Sequence, residues 1–431
     1  MGNMRRSIPI AVVALTATIA GAAIGADEFE RPPIEYSSAE PDNDVSQLQE
    51  RLERGELQLR YEAGLGYLRA LLEALEIPAE SQMLVFSKTS LQRSRIAPRT
   101  PRAIYFNDDL YVGYCQGGET LEISAADPKL GTVFYTLDQQ EAKAPALVRQ
   151  TDSCLQCHAG GPIDGIPSHL VRSVFVDSAG QPLLAEGSHR VDHTTPVEDR
   201  WGGWYVTGTH GSQTHLGNAV IEDREAARPF TNERGQNVTD LSERLSVGHY
   251  LTPHSDIVAL MVLEHQTMVH NYLTKANFVA RQALHYQAEL NRALGEPEAN
   301  PLASTASRIQ HAGDDLLEAI LFVDEAPLVA PMEGTSAFAQ RFAEAGPRDS
   351  QGRSLRDFDL ATRMFKYPCS YLIYAPSFDN LPDAMKSYVA KRLRAVLTGE
   401  DQDGTFSHLT VDDLQAILEI LSETKPGLWS N

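Results

Sequence analysis

The chain has 431 residues, two to three times the length of a typical domain, so we expect two or three lobes or one core with large insertions. Hydrophobic residues make up 42% and charged residues 22% of the sequence, a globular composition that excludes disordered, collagen-like and polytopic membrane chains. The formal net charge of −21 disfavours binding to nucleic-acid phosphates and to anionic membranes. We therefore expect no nucleic-acid partner, and basic proteins or small neutral molecules instead.

The N-terminus has the pattern of a secretory signal peptide. Arg5 and Arg6 precede an uncharged apolar run over residues 8–26, which ends in small residues and is followed by acidic ones. This predicts a leader over residues 1–26 and an exported, periplasmic protein with no stable membrane insertion after cleavage. An uncleaved N-terminal anchor is the alternative, because the run approaches the length of a membrane span.

The next region is predicted to change from linker to helix to sheet. Residues 27–57 are assigned to a polar, mobile linker and the start of a first helix, which the spacing of apolar residues extends from about Val45 to Leu75. Residues 58–255 are assigned to a helix and a sheet-rich region. Short apolar runs between turn residues predict antiparallel strands at 83–86, 103–106, 110–114, 121–123 and 132–135.

The second half of the chain is predicted to be helical after a hairpin at 170–184 and a short strand at 204–206. Within the region 256–431, helices are expected over 256–294, 304–321 and 383–397 and from Thr410, where Thr410 and Asp413 form a capping box. The predicted fold class is α+β: an antiparallel sheet region surrounds residues 154–158 and a mainly helical C-terminal half follows.

The sequence Cys154-Leu-Gln-Cys157-His158 is the strongest chemical signal in the chain. The C-x-x-C-H spacing lets two thiols form thioethers with the haem vinyl groups while the adjoining histidine reaches the iron. A zinc site would need a second ligand pair, and the chain has no second C-x-x-C. A redox disulfide between Cys154 and Cys157 would need a thioredoxin-like βαβ context, which is not predicted here. The motif predicts one covalent haem c.

With these residues the chain resembles the single-haem c-type cytochromes. The resemblance implies one-electron chemistry at a haem held by Cys154 and Cys157, with His158 as the proximal ligand. The stretch 200–211 also resembles large exported cytochrome-c-domain proteins of unknown function, a resemblance that implies no mechanism. The chain departs from small carrier cytochromes because its motif follows a predicted sheet, and because no methionine lies between Met83 and Met261 to serve as a nearby sixth ligand.

The sixth ligand is therefore expected to be a histidine or to be missing. His210 and His215 are the first candidates, because their Gly/Thr-rich segment would let the backbone approach a haem face. His265 and His270, within an apolar helix, are the further candidates, whereas His169 is expected to pack near the attachment loop.

Two further residues are predicted to lie near a haem edge. Arg200 suits the propionates, because a guanidinium pairs bidentately with carboxylates. Trp204 offers a large apolar face and an N–H donor. The remaining cysteines, Cys115 and Cys369, are expected to form either a long-range disulfide or two buried thiols.

Three functions follow from these expectations. The leading one is electron transfer with a redox partner that has a basic docking surface. The second is a haem-dependent oxidoreductase of peroxidase or oxygenase type, with an open distal site and His210 or His215 as an acid/base group. The third is a haem c sensor of PAS-like fold, suggested by the hairpin after the motif.

Overall fold

A six-stranded antiparallel sheet, with its strands in chain order, occupies the N-terminal half of a computed structural model of the chain. The structure describes residues 28–160, 165–222, 231–401 and 403–429, and the predicted signal peptide lies outside them. The strands are β1 Met83–Val85, β2 Arg102–Phe106, β3 Leu110–Tyr114, β4 Thr120–Asp127, β5 Gly131–Asp138 and β6 Leu147–Gln150. All five predicted strands are present. β6 was not predicted, because its four residues have no clear alternation of apolar and polar side chains.

The pleat of the sheet gives its two faces different roles. Ala103, Val112 and Leu121 point to one face and are buried against the N-terminal helices, α1 Asp44–Glu53 and α2 Leu68–Ala74. The opposite face carries polar and aromatic residues that the register places side by side. Gly113, for example, pairs with Ile104 on β2 and with Glu122 on β4. This second face turns toward the C-terminal half of the chain.

Helices form the C-terminal half around a long central one. They are α4 Ile257–Leu294, α5 Ala303–Ile320, α6 Phe338–Glu344, α7 Pro376–Asp379, α8 Asp383–Leu397 and α9 Val411–Thr424. Asp256 caps α4 by accepting hydrogen bonds from the main-chain N–H groups of Val258 and Ala259, and Thr410 with Asp413 forms the predicted capping box of α9. The α+β fold class is confirmed. No helix in the described ranges is both long enough and apolar enough to cross a bilayer.

The first predicted helix is corrected by the structure. Residues between α1 and α2 form turns and an isolated bridge from Glu62 to Gly66, so the helix predicted from Val45 to Leu75 is wrong over its middle. The segment predicted to be a mobile linker is also packed. Ile34 and Tyr36 are buried, and the Tyr36 hydroxyl donates to the Thr132 carbonyl oxygen on β5. Packing against the sheet supplies order that the polar composition of the segment did not indicate.

A short helix carries the motif, and four further short strands follow it in the chain. The helix α3 Leu155–His158 follows β6, and then β7 Arg172–Val174 pairs with β8 Ser188–Arg190. The predicted hairpin is present in outline, since a bridge joins Val176 to Pro182 around the turn. Trp204 makes only an isolated bridge to Val85, so no regular strand forms at 204–206. The short pair β9 Gly208–Thr209 and β10 Glu333–Gly334 links the two halves.

Candidate functional site

The C-x-x-C-H motif forms a single turn of helix directly after the sheet. The N–H groups of Cys157 and His158 both donate to the Cys154 carbonyl oxygen, at 3.2 and 2.9 Å. Cys154 caps this turn and Leu155–His158 complete it. The turn brings Cys154, Cys157 and His158 to the wall of one cavity. Sequence spacing alone predicted this proximity, because the residues lie within one turn of backbone.

The chain holds the His158 ring in one orientation. Its Nδ1 lies 2.9 Å from the Ser168 carbonyl oxygen, and the Ser168 N–H donates to the His158 carbonyl oxygen at 2.8 Å. A carbonyl can only accept, so Nδ1 carries the proton and Nε2 keeps its lone pair. Burial lowers the pKa of His158, which also favours the neutral ring. The ring packs against Phe134, with 4.8 Å between ring centroids. A neutral, oriented imidazole is the form that binds iron.

The cavity has a volume of about 520 Å³ and lies between the motif and the second face of the sheet. This volume falls within the range of about 300–1,000 Å³ that is usual for small-molecule and cofactor sites. Its apolar part includes Ile104, Phe134 and Leu263. The residues that line the cavity come from strands β2 to β5, from the segment 169–171 and from α4.

A cationic edge borders the same cavity. Arg102 on β2 forms an ion pair with Glu122 on β4, with 2.6 Å between Nη2 and Oε2. Arg102 Nε is buried and has no hydrogen-bond partner among the residues that the structure describes, while Lys88 and Arg93 add positive charge to the lining. Gly113 lies beneath the guanidinium, where a Cβ atom would come within 2.2 Å of Arg102 Nη2. Sequence analysis missed this edge. The alternation of Thr120, Glu122 and Ser124 along β4 was the available signal.

His169 lies beside the turn that carries the C-x-x-C-H motif, as predicted, and lines the cavity. Its Nδ1 is 3.1 Å from the Thr132 hydroxyl and its Nε2 is 3.1 Å from the Ser124 hydroxyl. Asn271 on α4 fixes the main chain by accepting from the His169 N–H and donating to the His169 carbonyl oxygen. Burial holds the pKa of His169 well below its usual value. Both ring nitrogens are thus engaged within the protein.

Of the two predicted edge residues, only Trp204 lines the cavity. Its Nε1 donates to the Arg172 carbonyl oxygen at 2.9 Å, which orients the indole. Arg200 is buried elsewhere. Its guanidinium donates to the carbonyl oxygens of Thr195 and His193 and pairs with Glu264 on α4, at 3.1 Å. Because Arg200 does not line the cavity, the structure gives no support to a propionate contact for this residue.

His210 and His215 lie close to each other, with 4.8 Å between ring centroids, but neither lines the cavity. The main-chain N–H of Asn237 donates to His210 Nε2, and that of Gly217 donates to His215 Nδ1. One nitrogen of each ring is therefore engaged by main-chain N–H groups of the protein. Burial lowers the pKa of His210, and burial together with the nearby His210 lowers the pKa of His215 to about 3.

His265 and His270 are buried on α4 and do not line the cavity either. The His265 ring is engaged on both sides. Its Nδ1 lies 3.0 Å from His193 Nδ1, and its Nε2 lies 2.8 Å from the Ser370 hydroxyl. His270 Nδ1 is 3.0 Å from the Tyr111 hydroxyl. Across the described ranges, no group of three or more His, Cys, Asp or Glu side chains is placed to hold a metal ion.

All four cysteines are free thiols. Cys115 and Cys369 are both buried, which agrees with the second of the two alternatives for this pair, and burial raises their pKa values to about 11 and about 12. Cys154 and Cys157 are more exposed and are not joined to each other. Both motif thiols are therefore available for covalent attachment.

The buried histidines predict a loss of stability in acid. A histidine with a lowered folded pKa binds fewer protons than the unfolded chain, so its contribution is lost as pH falls below about 6.5. Because the folded pKa of His215 is about 3, the wild type should lose about 2 kcal/mol of unfolding free energy through this residue when the pH is lowered from 8 to 5. The His215→Gln variant should not show this loss, and urea unfolding at the two pH values measures the difference.

The exposed His285 provides the matched control for this prediction. The His285→Gln variant, measured in parallel, controls for the replacement of a histidine by glutamine. If the unfolding free energies of His215→Gln and the wild type depended equally on pH, buried His215 would not be a cause of the acid destabilisation.

Comparisons of the chain with protein-family models, with curated proteins and with solved structures find no match.

Proposed function

We propose that the protein is an exported monohaem c-type cytochrome that takes part in one-electron redox chemistry. Cys154 and Cys157 would form the thioethers and His158 Nε2 the proximal bond. The observation that carries the proposal is the joint placement of all three motif side chains on the wall of one cavity of about 520 Å³. When bound, the haem supplies a metal centre that accepts and returns single electrons.

The neighbours of the motif suit this group. The Ser168 carbonyl fixes the His158 tautomer and makes Nε2 more basic, in the manner of ligand histidines at metal sites. Phe134 and Ile104 offer apolar contact for a macrocycle. Arg102, whose Nε has no partner within the described ranges, would be a cation for a propionate, in the role that sequence analysis gave to Arg200.

A second candidate, an oxidoreductase with an open distal site, is favoured by one observation. Among the described residues that line the cavity, the only histidines are His158 and His169, and both nitrogens of His169 are already hydrogen-bonded. His210 and His215 do not line the cavity. A distal position without a strong protein ligand would let a small molecule bind there. The partner for either function is proposed to be a redox protein with a basic surface, given the net charge of −21.

An absorption spectrum and a pyridine haemochrome assay test the proposal. The full chain is expressed with the haem-attachment machinery, and we expect one covalent haem per chain. A low-spin reduced spectrum would favour the electron carrier. A high-spin spectrum that shifts with cyanide or peroxide would favour the enzyme, and reversible binding of small ligands without turnover would favour the sensor. A chain without covalent haem would overturn the proposal and point to a disulfide or a metal at Cys154 and Cys157.

A further inference from the structure

Three side chains connect the cavity to the C-terminal helices. Tyr111 on β3 lines the cavity, and its hydroxyl is 3.0 Å from His270 Nδ1 on α4. His270 Nε2 in turn lies 3.8 Å from Asp109 Oδ1. His270 Nε2 and Asp109 Oδ1 are both buried, and neither atom has a hydrogen-bond partner in the described part of the chain. We refer to Tyr111, His270 and Asp109 as the tyrosine relay.

Gln266 fixes the direction of the hydrogen bonds in the tyrosine relay. Its Nε2 donates to the Asn107 carbonyl oxygen and to the Tyr111 hydroxyl oxygen, both at 2.8 Å, and its Oε1 accepts from the Tyr371 hydroxyl. Since the Tyr111 oxygen already accepts from an amide, its own O–H is free to donate to His270 Nδ1. A neutral His270 then carries its proton on Nε2, which points it at Asp109.

The ring and the hydroxyl of Tyr111 have different surroundings. The ring borders the cavity and packs against His169, with 4.3 Å between ring centroids. The hydroxyl is hydrogen-bonded to two side chains of α4, Gln266 and His270. An electron can therefore leave through the ring toward the cavity while the phenolic proton moves to a histidine on the other side.

We propose that Tyr111 is a redox-active tyrosine that exchanges electrons with the cavity and its proton with His270. The proposal rests on the proposed haem in that cavity. The oxidant is a hydroperoxide, which takes up two electrons and two protons to give an alcohol and water. One electron would come from the bound haem and one from Tyr111, and both protons would come from solvent. The phenolic proton passes to His270 Nδ1. It returns to Tyr111 when an external reductant supplies one electron to that residue, and a second electron from the same reductant would restore the haem.

Asp109 makes this proton transfer pH-dependent. Burial, with the nearby carboxylates of Asp108 and Asp44, raises the pKa of Asp109 to about 7, against the opposing charge of Arg356. Above that pH, Asp109 is a carboxylate facing His270 Nε2 and stabilises the imidazolium that forms. Below it, Asp109 is neutral and this stabilisation is lost. Within the described residues, the Tyr111 hydroxyl lies at hydrogen-bonding distance from the His270 ring, and the titratable ring of His169 faces it with 5.9 Å between ring centroids.

The test is rapid-freeze electron paramagnetic resonance of the haem-loaded protein after one equivalent of hydrogen peroxide, with ring-deuterated tyrosine to identify a tyrosyl radical. We expect Tyr111→Phe to abolish the signal. Tyr105→Phe is the matched control, because Tyr105 is equally buried on the neighbouring strand but donates to the Gln82 amide oxygen and not to a histidine. His270→Gln keeps the phenol but removes the base and should lower the yield at least about tenfold.

Two further measurements make the outcome decisive. A haemochrome assay of the same samples reports haem content, so a fully loaded wild type without a Tyr111-dependent radical overturns this proposal alone, whereas a chain without haem overturns the proposed function. Nitrogen-15 NMR should find His270 protonated at Nε2 and not at Nδ1, with or without haem. A radical that persists in Tyr111→Phe, or a His270 protonated at Nδ1, would contradict the tyrosine relay.

Discussion

Replacement of both Cys154 and Cys157 with serine is expected to abolish covalent retention of haem. The two thiols are free and line the same cavity, so each can form one thioether, and serine oxygen cannot replace either bond. Single variants should keep haem through one bond, with a shifted haemochrome band. The measurement is haem staining after denaturing electrophoresis, followed by acidified-acetone extraction of each variant.

Cys115→Ala provides the control for this experiment, since Cys115 is a buried thiol that does not line the cavity. This variant should retain haem at the wild-type level. Covalent haem in the double serine variant would exclude the motif as the attachment site and would contradict the proposed function.

Replacement of Arg200 with methionine is expected to cost about 3–5 kcal/mol of unfolding free energy, because it leaves a buried carboxylate without its partner. The Arg200 side chain is 3% exposed and that of Glu264 is fully buried. The variant also loses donors to the carbonyl oxygens of Thr195 and His193. Urea unfolding at neutral pH measures the loss.

The exposed ion pair of Arg292 with Glu289 is the control, because both side chains are more than half exposed. Arg292→Met should change stability very little, because exposed ion pairs are screened by solvent. Adding Glu264→Gln to Arg200→Met should recover part of the loss, since the uncompensated charge is then removed. A loss below that of Arg292→Met would show that the Arg200–Glu264 pair does not contribute to stability.

The sequence predicted a helix correctly where the residues that determine it lie within the helix itself. The helix over 383–397 and the helix from Thr410 agree with α8 and α9, because apolar spacing and a capping box lie within the segment itself. The segment between α1 and α2 has the same apolar spacing but folds as turns. There the side chains pack on the sheet without helical backbone, and tertiary contacts override the periodicity.

The candidate site divides in the same way. The turn that carries Cys154, Cys157 and His158 was predictable, since one turn of backbone fixes the distances. The side chains opposite the motif were not. Arg102 and Tyr111 reach the cavity because strand register places them on the same face, and Arg200 is withdrawn from it because Glu264, 64 residues away, is its partner.

Local spacing in the sequence thus accounts for the α+β order of elements, the capping box of α9 and the turn formed by the C-x-x-C-H motif. Tertiary packing alone placed Tyr111 beside His270, which lies 159 residues further along the chain, and left His210 and His215 outside the cavity. The physical reason is that periodicity and motif spacing report only the backbone conformation of a short segment. Which buried polar groups meet depends on the packing of distant elements, where each must find a hydrogen-bond partner.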